Sequence, residues 1–408
     1  MKYVIILGDG MADEPIPVLG GKTPLEYAKT PAMDRLAKMS RIGMVHTIPE
    51  GMQPGSDTAN LSVLGYDPKK YYTGRSPLEA LSIGVPMEAT DIALRANLVT
   101  LTKDEENYKD RKILDHSAGE ISTEDAAVLL EAVREVLEDD VYKFYTGTSY
   151  RHLMIWKGGQ VVPLEAPHDH LGQVIGDFLP KEKKLYEMMK KSYDILVDHP
   201  MNIEREKRGL NPANSLWFWG AGTRPSLTSF EEKTGKRGVM ISAVDLLKGI
   251  AVGASMKNII VEGANGGLHT NYKGKADAAV KALVEDGYDF AYIHIEAPDE
   301  MGHQGSLEHK IQAIESIDRF VVDTVVKDLD QAGEDYRLLI LPDHPTPIRL
   351  RTHTADPVPF LLYDSRAPRK ESWLYNEREA QKAHDDVAAG YKLIDILLEK
   401  SDHMRFGG

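Results

Sequence analysis

The sequence predicts an α/β protein with a mostly parallel sheet flanked by helices. Three observations carry that prediction. Short apolar runs at Tyr3–Leu7, Val239–Ile241, Phe290–Ile295 and Leu338–Leu341 have the length of buried strands rather than helices. Between them lie helical stretches such as Ala276–Val284 and the amphipathic Lys310–Val326, and strands alternating with helices read as a parallel sheet. Polar clusters follow three of the runs directly: Asp9 after the first, Asp299 and His303 after Phe290–Ile295, Asp343 and His344 after Leu338–Leu341. In open α/β sheets ligands sit beyond the carboxyl ends of the strands, so one polar turn is ordinary but three at matching ends point to a site.

Composition narrows the class. At 408 residues the chain exceeds one ordinary core, so two domains are expected. The net charge of −14 argues against nucleic acid and anionic membranes as partners. It leaves an anionic substrate open, because local cations or metals outweigh the global field. The absence of cysteine excludes disulfides and thiolate metal sites and fits a reducing cytoplasm. No apolar run approaches a membrane span, and the opening MKYVIILGDG lacks the long apolar core of a signal peptide. There is no internal repeat. The oligomeric state is not legible.

In chain order, Gly8-Asp9-Gly10 closes the first strand with a sharp turn that leaves the Asp accessible. Thr30-Pro31 reads as a capped helix start. A Pro-Gly turn then places Ser56 at the start of a further helix. A serine there is usually a cap, but the position also points backbone N–H groups at an anion, and a metal could activate its hydroxyl. Arg95–Leu101 is a strand, Ser122–Leu137 an amphipathic helix, and Phe144–Trp156 a hairpin turning at Thr146-Gly147-Thr148 and carrying Arg151. Pro167-His168-Asp169-His170 reads as a polar loop that hydrogen-bonds substrate or neighbours rather than as a second metal site. Lys181–Val197 is a helix, and Leu216–Trp219 is a strand whose aromatics belong to the core. Ile259–Val261 is a short strand, Val358–Tyr363 another, and Asp386–Glu399 a closing helix.

Asp299 and His303 are four residues apart and share a face if the segment opens a helix. With His353, beyond a Pro-rich turn, they supply one carboxylate and two imidazoles, an open site for a transition metal. Asp9, Asp343 and His344 can hold a second ion, with the Ser56 hydroxyl as a further ligand. Paired metals are the standard arrangement for moving phosphoryl groups.

Five long stretches resemble one family: GDG at Gly8–Gly10, PGSDTANLSVLGYDP at Pro54–Pro68, YYTGRSPLEA at Tyr71–Ala80, EAPDEMGHQG at Glu296–Gly305 and LPDHPTPIRLRTHTADPVPF at Leu341–Phe360. With YRHLM, PHD and ISAVDLLKGI between them, they are similar to the 2,3-bisphosphoglycerate-independent phosphoglycerate mutases, in the archaeal-type branch of the alkaline-phosphatase superfamily. The resemblance implies a phosphatase-like domain with two divalent ions, Mn or Mg, with Zn or Co also compatible. It implies no need for 2,3-bisphosphoglycerate. It implies that Ser56 is the nucleophile, that Asp299, His303 and His353 hold one ion, and that Asp9, Ser56, Asp343 and His344 hold the other.

An inserted, smaller α/β domain is expected at Glu88 to Pro225, between residues 1–87 and 226–408 of the metal-binding domain. Arg95, Arg151, His168 and Asp169 in the insert, and Lys248 near its return, are the residues expected to grip the small phosphorylated substrate. ILGDGMADEP and DHSAGEIS also resemble a bacterial subgroup proposed to act as homoserine kinase, which would use ATP as donor on the same metal chemistry. A metal-dependent phosphatase is a third expectation, and a metal-stabilised binding protein with an idle Ser56 a fourth.

Overall fold

The computed structural model describes residues 1–399. The chain divides into two compact units, one from Met1–Tyr72 with the chain from Ser226 onward, the other from Thr73–Pro225. The strands of the described residues are β1 (Lys2–Gly8), β2 (Arg41–Val45), β3 (Ile92–Leu101), β4 (Ile113–Asp115), β5 (Tyr142–Thr148), β6 (Arg151–Trp156), β7 (Ser215–Thr223), β8 (Gly238–Ile241), β9 (Lys257–Asn258), β10 (Phe290–Ile295), β11 (Tyr336–Leu341) and β12 (Val358–Asp364). None of the described helices is long and apolar enough to cross a membrane.

The first unit holds a seven-stranded sheet in the order β2-β12-β11-β1-β10-β8-β9. β1 runs parallel to both β10 and β11, β8 parallel to β10, and β12 is antiparallel to its neighbours β11 and β2. Val4 and Ile6 face a core with Met33, Leu36, Ala279, Leu283, Ile314 and Val325. The alternate residues Ile5, Leu7, Leu339 and Leu341 are fully buried too, so both faces of the central strands are covered. Each such side chain contributes about 1.5–3 kcal/mol relative to exposure. This coverage is why β1, β10 and β11 read as nearly continuous apolar runs.

Several sequence expectations shift in this unit. Thr30 precedes the helix Pro31–Ala37 but makes no capping bond. The Asp318 carboxylate caps it instead, accepting from Ala32 N at 3.1 Å and Met33 N at 2.7 Å. Asp318 opens a widened turn, Asp318–Val322, that splits the predicted Lys310–Val326 helix into Leu307–Ile317 and Asp323–Gln331. The strand expected at Ile259–Val261 is instead the two-residue β9 just before it. The closing helix shortens to Leu393–Leu397. The stretch before it is drawn to the edge of β2, where Val387 N donates to Met44 O and His46 N donates to Val387 O.

The second unit begins at Thr73, ahead of the Glu88 expected, because the helix Arg75–Ser82 packs on β3 and β7. Its sheet is antiparallel. β6 and β7 flank β3, β5 pairs with β6, and β4 joins the end of β3. Leu94, Leu98, Phe144 and Trp217 form its core with residues of the helices Thr123–Leu137 and Lys183–Leu196. The hairpin turns at Ser149-Tyr150, and the Thr146-Gly147-Thr148 stretch is an irregularity within β5. A Cβ on Gly147 would sit 2.1 Å from the Arg151 carbonyl oxygen, so the glycine marks a close backbone approach rather than the turn itself.

Candidate metal centre

β11, β1 and β10 are neighbours whose carboxyl ends are level. Leu7 pairs with Leu341 and Gly8 with Ile295. The residues that follow each strand therefore emerge side by side. Asp9 follows β1, Asp343 and His344 follow β11, and the helix Ala297–Gln304 after β10 presents Asp299 and His303. Gly10 turns the first segment away with φ of 62°, and a Cβ there would meet Asp299 Cα at 2.7 Å. Gly10 N donates to Asp343 Oδ1 at 3.0 Å, which ties two of the three segments together.

In one cluster, His303 Nε2 lies 3.2 Å from Asp299 Oδ2 and His353 Nε2 lies 3.3 Å from Asp299 Oδ1. The two Nε2 atoms are 3.0 Å apart. Donors about 2.0–2.2 Å from a tetrahedral ion sit about 3.3 Å from one another, so this spacing fits a metal. His303 Nδ1 donates to the Arg351 carbonyl oxygen at 2.9 Å, which orients the ring with Nε2 turned toward Asp299. The hydrogen bond with Asp299 pushes the His303 imidazole up to about 9. Burial alone would raise the Asp299 carboxyl, but bonds from His303 and His353 outweigh it and hold the group well below the usual carboxylate range.

In the other cluster, Ser56 Oγ lies 3.2 Å from Asp9 Oδ2 and 3.2 Å from His344 Nε2. His344 Nε2 is 3.3 Å from Asp343 Oδ2 and 3.5 Å from Asp9 Oδ1. Burial, then the Asp343 carboxylate, push the Asp9 carboxyl well above its ordinary value. Buried acids packed this way are the surroundings a cation stabilises. The ligand atoms of Asp299, His344 and His353 lie within 4.8 Å of one another, as do those of Asp9, His294 and Asp343. His344 therefore bridges the two clusters. The donors are oxygen and nitrogen throughout, a set that fits divalent ions.

Three residues here escaped the sequence reading. His294, within β10, approaches Asp9 Oδ2 with Nε2 at 2.8 Å and Ser242 Oγ with Nδ1 at 3.1 Å, and burial pushes its imidazole down to about 3. Asn60 donates to Asp343 Oδ2 at 3.1 Å and to Ser56 O at 2.8 Å. The Thr346 hydroxyl donates to Asp299 Oδ1. A histidine inside the apolar FAYIHI run was the available signal for the first.

The expected substrate-gripping residues fall in both units. In the second unit, Arg95 is buried, paired with Glu79 through two bonds, and stacked over Trp219 at 4.7 Å. His168 packs edge-on against Trp219 at 5.3 Å and meets His116 at 6.0 Å. His116 meets Tyr150 at 5.8 Å, and Arg151 stands over Tyr150 at 5.4 Å. Arg95, Trp219, His168, His116, Tyr150 and Arg151 thus form a continuous row. Burial lowers the His168 imidazole, with further contributions from His116, Arg95 and Arg75. Asp169 is exposed, 3.7 Å from His168 Nε2. Lys248 belongs to the first unit, where it pairs with Asp245 at 3.3 Å.

The fold and these clusters define an α/β protein with a serine held between two metal-type donor sets at the strand ends. Known proteins give that class a family. Residues 37–202 match the family model described as 2,3-bisphosphoglycerate-independent phosphoglycerate mutase. A probable mutase of that description from Geobacter sulfurreducens is 48% identical, over 98% of this chain and 100% of its own. One from Methanosarcina barkeri is 46% identical, over 98% and 100%. Among solved structures, a cofactor-independent phosphoglycerate mutase from Thermoplasma acidophilum superposes with a TM-score of 0.66 at 28% identity, covering 98% of this chain and 100% of that one. The chain belongs to the 2,3-bisphosphoglycerate-independent phosphoglycerate mutase family.

Proposed function

We propose that this protein interconverts 3-phosphoglycerate and 2-phosphoglycerate in the cytoplasm, through a phosphoserine at Ser56, with two divalent ions and no added 2,3-bisphosphoglycerate. The observation that carries the reading is Ser56 Oγ at 3.2 Å from both Asp9 and His344, beside the Asp299-His303-His353 cluster.

Asp299, His303 and His353 would hold one ion, and Asp9, Ser56, Asp343 and His344 the other, with Mn or Mg the expected metal. When bound, such ions lower the pKa of a hydroxyl and neutralise charge on a transferring phosphoryl group. Ser56 opens the helix Ser56–Val63, so the first-turn N–H groups face an anion brought to it. Asp9 Oδ2, 3.2 Å away, is the acceptor within reach of the Ser56 proton, because His344 Nε2 would have no lone pair left as a ligand. Ser56 Oγ attacks phosphorus, the bond between phosphorus and the 3-oxygen of glycerate breaks, the 3-oxygen takes up the proton that Ser56 released, and phosphoserine forms. The glycerate turns while held, and its 2-hydroxyl attacks the same phosphorus; the bond between phosphorus and Ser56 Oγ breaks, and the hydroxyl proton returns to the serine oxygen. The second unit would hold the turning glycerate. Arg151 and His168 line the row of cations and aromatics and suit a carboxylate and hydroxyls. Arg95, already bonded to Glu79, shapes that row.

The test is turnover of purified protein with Mn²⁺ and 3-phosphoglycerate alone. The expected result is 2-phosphoglycerate, abolished by EDTA and by Ser56→Ala. Metal-loaded protein that forms none would refute the reading.

A further inference from the structure

Lys310 is fully buried in the helix Leu307–Ile317, outside both donor clusters. Its Nζ has three protons and three acceptors: Asp13 Oδ2 at 2.8 Å, Thr346 O at 2.9 Å and Ala12 O at 3.2 Å. Asp13 is equally enclosed. Its Oδ2 also accepts from Ile348 N at 3.1 Å, and its Oδ1 accepts from Glu14 N at 2.7 Å. A buried ion pair offers little net stability over an apolar replacement, so stability alone is a weak account of this one.

The partners indicate which role. Ala12 and Asp13 continue the segment that carries Asp9. Thr346 and Ile348 continue the segment that carries Asp343 and His344, and the Thr346 hydroxyl reaches Asp299. Lys310 itself follows the helix that presents Asp299 and His303. One ammonium group therefore joins all three segments that emerge from the level strand ends. Thr346 N donates to Ala12 O at 3.2 Å, a direct bond between two of them that aligns the carbonyls Lys310 binds.

We infer that Lys310, with Asp13, is a positioning residue that sets the spacing of the Asp9, Asp343–His344 and Asp299 segments for divalent-ion binding. The inference rests on the two-ion reading proposed above. It assigns Lys310 no contact with metal or substrate. Its effect passes through the backbone of Ala12 and Thr346, and a ligand moved by a few tenths of an ångström loses ion affinity before it loses fold.

The test is calorimetric titration of Mn²⁺ into metal-free full-length protein, for wild type, Lys310→Met and the double variant Asp13→Asn/Lys310→Met. Circular dichroism verifies folding at the titration temperature. The single variant strands a buried carboxylate and is expected to unfold more readily. The double variant removes both charges and keeps the volumes. A roughly 10–100-fold weaker Mn²⁺ affinity in the folded double variant is the expected result. Unchanged affinity there would overturn the inference and leave the metal reading standing, because a purely structural pair moves the unfolding midpoint and not the affinity. A double variant that cannot fold would assign the pair to stability and overturn it as well. Wild-type protein that takes up no Mn²⁺ would remove the metal reading itself.

Discussion

The two units hold their charged side chains in opposite ways. In the first, the carboxylates of Asp9, Asp343 and Asp299 converge with four histidines, His294, His303, His344 and His353, and buried acid is stacked against buried acid. In the second, buried Arg95 is already neutralised by Glu79 and covered by Trp219, while Arg151 is exposed, with an aromatic face and no carboxylate partner among the described residues. Unbalanced buried charge of one sign suits an ion, a balanced buried pair suits scaffold, and an arginine facing solvent suits a ligand.

The largest expected effect breaks the comparison at the nucleophile. Ser56→Ala should reduce turnover by about a thousandfold or more, while calorimetry finds Mn²⁺ still bound. Loss of the metal in step with activity would instead make Ser56 essential to the site's assembly. Next, Arg95→Ala should cost about 3 kcal/mol of second-unit stability in urea unfolding, because it leaves Glu79 with the half-exposed Arg75 at 3.5 Å in place of its buried partner. A change below ~1 kcal/mol would show that Arg95 is not scaffold.

The units should also differ in pH dependence. In the second, burial pushes the His152 imidazole down to about 4. The unfolded chain then binds that proton more readily, so stability falls as pH drops from about 6.5 toward 4, by on the order of 3 kcal/mol. In the first, burial raises Asp318 to about 6. The folded protein binds that proton more readily, so its contribution is full at low pH and is lost as pH rises from the ordinary aspartate range through 6. Unfolding curves across pH 4–7 should lose the acid limb in His152→Gln and the rising-pH loss in Asp318→Asn. Superimposable profiles would exclude both assignments. The smallest effect is at Arg151. Arg151→Ala should raise KM about tenfold, with kcat and the unfolding midpoint close to wild type, and an unchanged KM would remove Arg151 from the substrate.

Legibility followed the same division. Asp9, Asp299, His303, Asp343, His344 and His353 were readable because strand ends and short spacings fix where backbone delivers them. The helix start at Ser56 was readable from its Pro-Gly turn. His294, Asn60 and Thr346 were not, because each acts through a side-chain bond to a residue distant in sequence, which no local pattern records. In the second unit Arg95 and Arg151 look alike in the sequence, and what separates them is Glu79, which pairs with Arg95 from a helix sixteen residues back. Asp318 capping a helix across the core, and Gly147 mistaken for a turn, failed for the same reason.

The proposed reaction passes the phosphoryl group through Ser56. The direct measurement is rapid acid quench of Mn²⁺-loaded protein turning over 3-phosphoglycerate, followed by mass spectrometry of the peptide that contains Ser56. The expected result is a phosphoryl group on Ser56 that forms and decays at rates matching turnover. Turnover to 2-phosphoglycerate with Ser56 unmodified throughout would contradict it.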